Sequence, residues 1–146
     1  GVIYDFIHKL KANPQELIVL GNGEQNKPYL YVKDLVEGIL FVCNNAHDRF
    51  NVYNLGSYSR TKVKEIAHLV IEEMGLNATI KYTGGDRGWV GDVHEFKYDL
   101  SKINQLGWEA KISSNDSVRL AIQKALENEN SNHSRRKRDE DCINCQ

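Results

Sequence analysis

Apolar residues in this chain recur first at helical and then at extended spacing, and that alternation restricts it to the α/β class. Val63, Ile66, Ala67, Val70, Ile71 and Met74 form one stripe of a helix over about residues 62–74, and Gly75 suits a left-handed cap. Residues 78–82 then read as a strand. Upstream, Ile3, Phe6, Ile7 and Leu10 mark a first helix that stops near Asn13-Pro14, because proline disfavours helix in the residue before it. Leu17-Ile18-Val19-Leu20 is a short apolar strand ended by the turn Gly21-Asn22-Gly23. Residues 29–32 read as extended, Asp34 opens a helix through Cys43, and residues 50–55 read as a strand closed by Gly56. Asp99 can cap a short helix that Gly107 ends, and a last helix over about 115–126 presents Val118, Ala121, Ile122 and Ala125.

With 146 residues, 40% of them hydrophobic and 27% charged, the chain has room for one modest domain or part of a larger one. Residues 1–126 hold 15 basic and 15 acidic side chains, which gives no electrostatic footprint for nucleic acid or for an anionic membrane. No apolar run reaches the roughly 20 residues of a membrane span, and no signal peptide is readable at the start. Cys43 sits in an apolar helical run and reads as a small buried hydrophobe. Cys142 and Cys145 have CxxC spacing without the further ligands that zinc needs, so no metal is expected. A reducing, cytoplasmic setting fits this cysteine usage. Residues 127–146 are polar, with the run Arg135-Arg136-Lys137-Arg138, and read as a disordered tail.

The chemistry-bearing residues are few. No glycine-rich turn leads from a strand into a helix, and no GxSxG, HExxH or Walker sequence occurs, so no catalytic residue is assigned. Arg87 lies in the glycine-rich stretch 84–92, and Lys27 lies just past the Gly21-Asn22-Gly23 turn. A guanidinium fork and an ammonium are both suited to phosphate oxygens, while the Asp92 carboxylate is suited to accepting from sugar hydroxyls. Solvated loop charges would look the same.

Three longer stretches carry a resemblance. Gly21-Asn22-Gly23-Glu24-Gln25-Asn26-Lys27-Pro28-Tyr29-Leu30-Tyr31-Val32-Lys33-Asp34 resembles the G-[DN]-G-x-Q-x-[RK]-x-[YF]-x-[YH]-V-x-D segment of nucleotide-sugar epimerases and dehydratases. Phe50-Asn51-Val52-Tyr53-Asn54-Leu55-Gly56 resembles their final sheet strand. Arg87 through Asp92, then Tyr98-Asp99-Leu100-Ser101-Lys102 and Leu106-Gly107-Trp108, is similar to their carboxy-terminal stretch. In order and spacing the match spans residues 1–126, and the chain is identified as a member of the NAD-dependent epimerase/dehydratase family of extended short-chain dehydrogenases, most similar to its UDP-glucose/galactose 4-epimerase branch. The resemblance implies an α/β fold made of the carboxy-terminal substrate-binding lobe plus the last strand and helix of the Rossmann sheet.

Carried over residue by residue, the resemblance implies that the backbone of Ile18, Val19 and Leu20 faces the nucleobase. Lys27 stands where an arginine usually meets the diphosphate, Tyr29 lines the nucleotide pocket and Val63 packs on the base or ribose. Arg87 would bind the diphosphate and Asp92 the ribose hydroxyls, while Phe96 replaces a sugar-contacting tyrosine. The implied function is binding of a nucleoside-diphosphate sugar, a UDP-sugar in that branch, for an NAD-dependent C4 epimerase. A 4,6-dehydratase, a decarboxylase or a non-catalytic sugar-nucleotide-binding scaffold are the alternatives. NAD and the catalytic Tyr-Lys pair would sit on an amino-terminal Rossmann domain upstream of Gly1, so this chain alone is expected to be inactive and the complete enzyme to be a homodimer.

Overall fold

Helix α3 (Val63–Glu73) is the element against which the others pack. Its Ile66, Ala67, Leu69 and Val70 share one core with three neighbours. These are Phe6, Ile7 and Leu10 of helix α1 (Val2–Ala12), Leu17 and Val19 of strand β1 (Glu16–Val19), and Val118 and Ile122 of helix α5 (Ser114–Ile143). The computed structural model describes residues 1–89 and 91–143, with side chains described through Glu129. Strand β1 lies parallel to β4 (Thr79–Tyr82), with Glu16 opposite Thr79 and Val19 opposite Tyr82. Parallel neighbours require a long crossover. Here it contains α3 and the preceding helix α2 (Val32–Asn45). Only one face of β1 is covered, since Leu17 and Val19 are fully buried and Ile18 and Leu20 are half exposed.

A second, antiparallel ladder joins β2 (Asn26–Lys27) to β3 (Thr61–Lys62), placing Lys27 opposite Thr61. It continues into α3, where the Val63 N–H donates to the Gln25 carbonyl and the Lys64 N–H to the Gly23 carbonyl. Glu24 reinforces this join by accepting from both Lys62 and Lys64. Those two ammonium groups hold its carboxyl down from an ordinary 4.5 to about 2. A smaller apolar cluster of Leu100, Ile103 and Trp108 forms around helix α4 (Ser101–Leu106) and packs against Phe41 and Val42 of α2. The buried Asp34 carboxylate accepts the Lys111 backbone N–H at 2.9 Å, fastening the first turn of α2 to the segment that leads into α5.

The α/β alternation reads through to the structure, with differences that have physical causes. Residues 50–55 carry no strand ladder, because no described strand reaches them and an extended segment becomes a strand only by pairing. Residues 29–31 are likewise unpaired, and α2 begins at Val32 rather than Asp34. Cys43 is exposed, not buried. It follows Val32, Val36 and Ile39 on a stripe of α2 that faces outward, these three being 62%, 50% and 47% exposed. Helix α5 continues to Ile143 instead of ending near Leu126, and no glycine or proline follows Gly107 to interrupt it. The Cys142/Cys145 reading falls on side chains outside the described residues, as does any statement about packing of the tail beyond Glu129. Among the described residues no helix is long and apolar enough to cross a membrane, and no cluster of potential metal ligands occurs.

Two predictions follow from this packing. Truncating Ile122, which has no exposed surface, should cost about 2–5 kcal/mol, whereas Phe50→Ser, at 82% exposure, should change stability by less than about 0.5 kcal/mol. Urea denaturation of both variants, with the midpoint read at unchanged slope, checks the contrast. For Glu24 the folded carboxyl titrates below the unfolded one, so its contribution is complete above about pH 4.5 and is lost as pH falls towards 2. Thermal melts across that window should show a shallower acid limb in Glu24→Gln than in the parent chain.

Candidate functional site

The glycines of the Gly21-Asn22-Gly23 turn let two loops meet. Gly21 has φ +77°, and a Cβ there would stand 2.7 Å from Gln25 Nε2 and 2.9 Å from the Arg87 carbonyl oxygen. Any side chain would therefore both strain the backbone and push the loop after β4 away. The close approach is sealed by hydrogen bonds. The Gly21 N–H donates to Thr83 Oγ1 at 2.9 Å, and the Gly84 N–H donates to the Gly21 carbonyl at 3.1 Å. Further on, the Asn26 N–H donates to the His94 carbonyl, which aligns the 84–94 loop beside β2.

Between this loop, β2, α1 and the start of α3 lies a cleft of about 550 Å³, within the usual range for a small-molecule site. Its walls are apolar, from Val2, Phe6, Leu20, Val63 and Trp89, and its polar side chains are Asp5, Gln25, Lys27, Tyr29 and Asp92. Lys27 Nζ donates to Asp92 Oδ1 at 2.6 Å, the two side chains being 28% and 10% exposed. Burial acts to raise the Asp92 carboxyl, yet the Lys27 ammonium, the Gly88 N–H and the Gln25 amide together hold it below its ordinary value. Asp92 is therefore an anion at neutral pH. The Tyr29 phenol is pushed up, first by burial and then by the Asp92 charge, so it keeps its proton and can donate. Its backbone is pinned by the Ser114 hydroxyl, which accepts the Tyr29 N–H at 2.9 Å at the start of α5.

Five of the residues singled out from the sequence line this cleft: Leu20, Lys27, Tyr29, Val63 and Asp92. Four do not. The Ile18 carbonyl takes the Lys9 ammonium at 3.2 Å and the Val19 carbonyl takes the Thr83 N–H at 3.0 Å, so both are engaged within the chain. Arg87 is exposed and adjoins Gly88 and Trp89, which do line the cleft. Phe96 packs edge-on against Tyr98, with centroids 5.3 Å apart. Sequence reasoning missed Gln25, Phe6 and Trp89 as wall residues. Gln25 stands inside the quoted Gly21–Asp34 motif, and the aromatic Trp89 among glycines was itself a signal.

Two spacings that suggest catalysis occur in the chain, and the structure gives neither its usual geometry. Gly85, Gly88 and Gly91 follow strand β4 at GxxGxxG spacing, but the next helix begins only at Ser101, so no helix N-terminus stands behind them to receive a dinucleotide phosphate. Tyr-x-x-x-Lys spacing occurs at Tyr29/Lys33, Tyr58/Lys62 and Tyr98/Lys102, yet none of the three tyrosines is helical. Side chains four residues apart become neighbours only on a helix. The assembled groups are those of a binding cleft: an ammonium for an anion, acceptors for hydroxyls and apolar walls for a planar ring.

The family model described as GDP-mannose 4,6 dehydratase matches residues 1–121. UDP-glucuronic acid decarboxylase 1 of Arabidopsis thaliana is 35% identical over 114 residues, covering 77% of this chain and 25% of that protein. A solved UDP-galactose 4-epimerase superposes with a TM-score of 0.72 at 36% identity, over 87% of this chain and 40% of its own. UDP-glucose 4-epimerase of Thermotoga maritima, solved with UDP-glucose, gives a TM-score of 0.71 at 27% identity, over 88% and 40%. Other solved chains of the same fold are described with NAD or NADP bound. The chain spans 38% and 25% of the length of the first two curated relatives it matches. A motif order running through residues 1–126, a family match over most of that span and shared architecture agree, and the chain belongs to the epimerase/dehydratase family of extended short-chain dehydrogenases, as its carboxy-terminal part.

Proposed function

We propose that this chain binds a nucleoside-diphosphate sugar, a UDP-sugar, for an NAD-dependent C4 epimerase. The observation that carries the reading is the polar end of the cleft, where Lys27, Asp92 and Gln25 converge beneath apolar walls. An ammonium has three donors, and Asp92 occupies one of them, leaving Lys27 able to meet phosphate oxygens. Leu20, Phe6 and Trp89 offer apolar surface for a base, and Tyr29 offers a donor. In this reading Arg87 supports the same diphosphate from the loop beside the cleft. NAD and the Tyr-Lys pair belong to a dinucleotide-binding domain, and the working enzyme is a cytoplasmic homodimer. The 35% identity to a UDP-glucuronic acid decarboxylase favours decarboxylation as the second reading. The cleft serves both, and product analysis with the complete enzyme separates them.

Calorimetric titration of the 146-residue chain with UDP tests the binding reading. Lys27→Ala should weaken binding by about 1.5–3 kcal/mol, because an ion-assisted contact is lost and Asp92 is left as an unpaired anion facing the ligand. Arg87→Ala should cost less, since Arg87 does not line the cleft, and Lys27→Arg should be tolerated because its fork still meets phosphate. Undiminished UDP affinity in Lys27→Ala would refute the assignment. The isolated chain should bind UDP-glucose without converting it to UDP-galactose, which chromatography of the incubated nucleotide sugar would show.

A further inference from the structure

Between the β2–β3 ladder, which ends at Lys27, and the first turn of α2, the chain is held by little of its own backbone. Residues 28–30 make no backbone-to-backbone hydrogen bond among the described residues, and Pro28 has no N–H to offer. The one backbone hydrogen bond of this stretch is the Tyr29 N–H, which donates to Ser114 Oγ at 2.9 Å. That serine is itself held from two sides. Its hydroxyl pairs with Thr61 Oγ1 at 2.8 Å, and neither Ser114 nor Thr61 has exposed surface. Ser114 opens α5, and its N–H, one of the donors that a helix start leaves unpaired, goes to Ser59 Oγ at 2.7 Å. The Ser59 hydroxyl in turn pairs with that of Ser57 at 2.9 Å. Ser57, Ser59, Thr61 and Ser114 all lie outside the cleft lining.

We propose that Ser114 is a positioning residue of the cleft, setting through the Tyr29 N–H where the Tyr29 ring meets the nucleoside half of a ligand. This rests on the reading of the cleft as a nucleoside-diphosphate site. Lys27 reaches its place by another route, the backbone ladder that sets it opposite Thr61. The two ends of the cleft therefore depend on different contacts, the ladder for the ammonium and the start of α5 for the phenol. Without the Ser114 hydroxyl the Tyr29 N–H loses its acceptor, and a donor in a half-buried segment moves towards solvent to recover one. The ring moves with it, while the phosphate end stays in register. A serine that only stabilised α5 would not separate the two ends.

The test is calorimetric titration of the full chain, Ser114→Ala, Ser114→Thr and Thr61→Val with UDP and with inorganic pyrophosphate. Ser114→Ala should weaken UDP binding about tenfold, the scale of one buried hydrogen bond, and leave pyrophosphate affinity within about twofold. Ser114→Thr keeps the hydroxyl and should restore most of the UDP affinity. Thr61→Val keeps the shape of the side chain but removes the hydroxyl that Ser114 pairs with. It should show the same split at smaller size, and it carries the test should Ser114→Ala not fold. Equal loss of UDP and pyrophosphate affinity in these variants shows a general loosening and overturns the proposal. Unchanged affinity for both ligands in a folded Ser114→Ala chain also overturns it, since the serine then serves stability alone. Failure of the parent chain to bind either ligand instead removes the nucleotide-site reading, and this inference with it.

Discussion

The cleft depends on the backbone ladder that fastens residues 23–27 to the start of α3. Two N–H groups, of Val63 and Lys64, donate to the carbonyls of Gln25 and Gly23, and the β2–β3 pairing extends the join to Lys27. These N–H groups belong to the first turn of α3, where a helix has donors without partners of its own. The join therefore satisfies the helix start and fixes the 21–29 segment at once. Because Ile66, Ala67 and Val70 of α3 have no exposed surface, the polar end of the cleft is anchored to an element of the main core.

The loop from 84 to 94 is held differently. Its ties to the rest of the protein include the Gly21–Gly84 bridge, the His94 carbonyl and the Lys27–Asp92 pair. The first two are backbone bonds at its ends, and the third is an ion pair at the cleft mouth. An ion pair can exchange its anion for another of similar geometry, whereas a core contact has no such substitute.

Several buried polar groups are satisfied by bonds between segments far apart in the sequence. Asp34 accepts the Lys111 N–H, and Ser114 takes the Tyr29 N–H and pairs its hydroxyl with Thr61. These contacts bring the sequence-distant start of α5 beside the 27–31 segment and set the depth at which Tyr29 enters the cleft. Among the described residues the buried oxygens of Gln25, Asn51 and Ser117 have no hydrogen-bond donor.

Periodicity by itself located α1, α3, α5, β1 and β4, because each is a run long enough, or bounded sharply enough by Gly or Pro, for local preference to decide. The Gly21–Asp34 motif named Lys27 and Tyr29 and the 87–92 stretch named Asp92, and all three lie on one surface. Which stripe is buried was not legible. Ile66 and Val70 of α3 have no exposed surface, while Val36 and Ile39 of α2, at the same helical spacing, are half exposed. The reason is that a stripe records only the capacity to be covered, and covering needs another element. Pairing decided in the same way that residues 50–55 carry no ladder, and contact across 65 residues decided that Lys27 meets Asp92. Composition and spacing determine the local conformations, and only the tertiary structure determines which of their surfaces and charges come together.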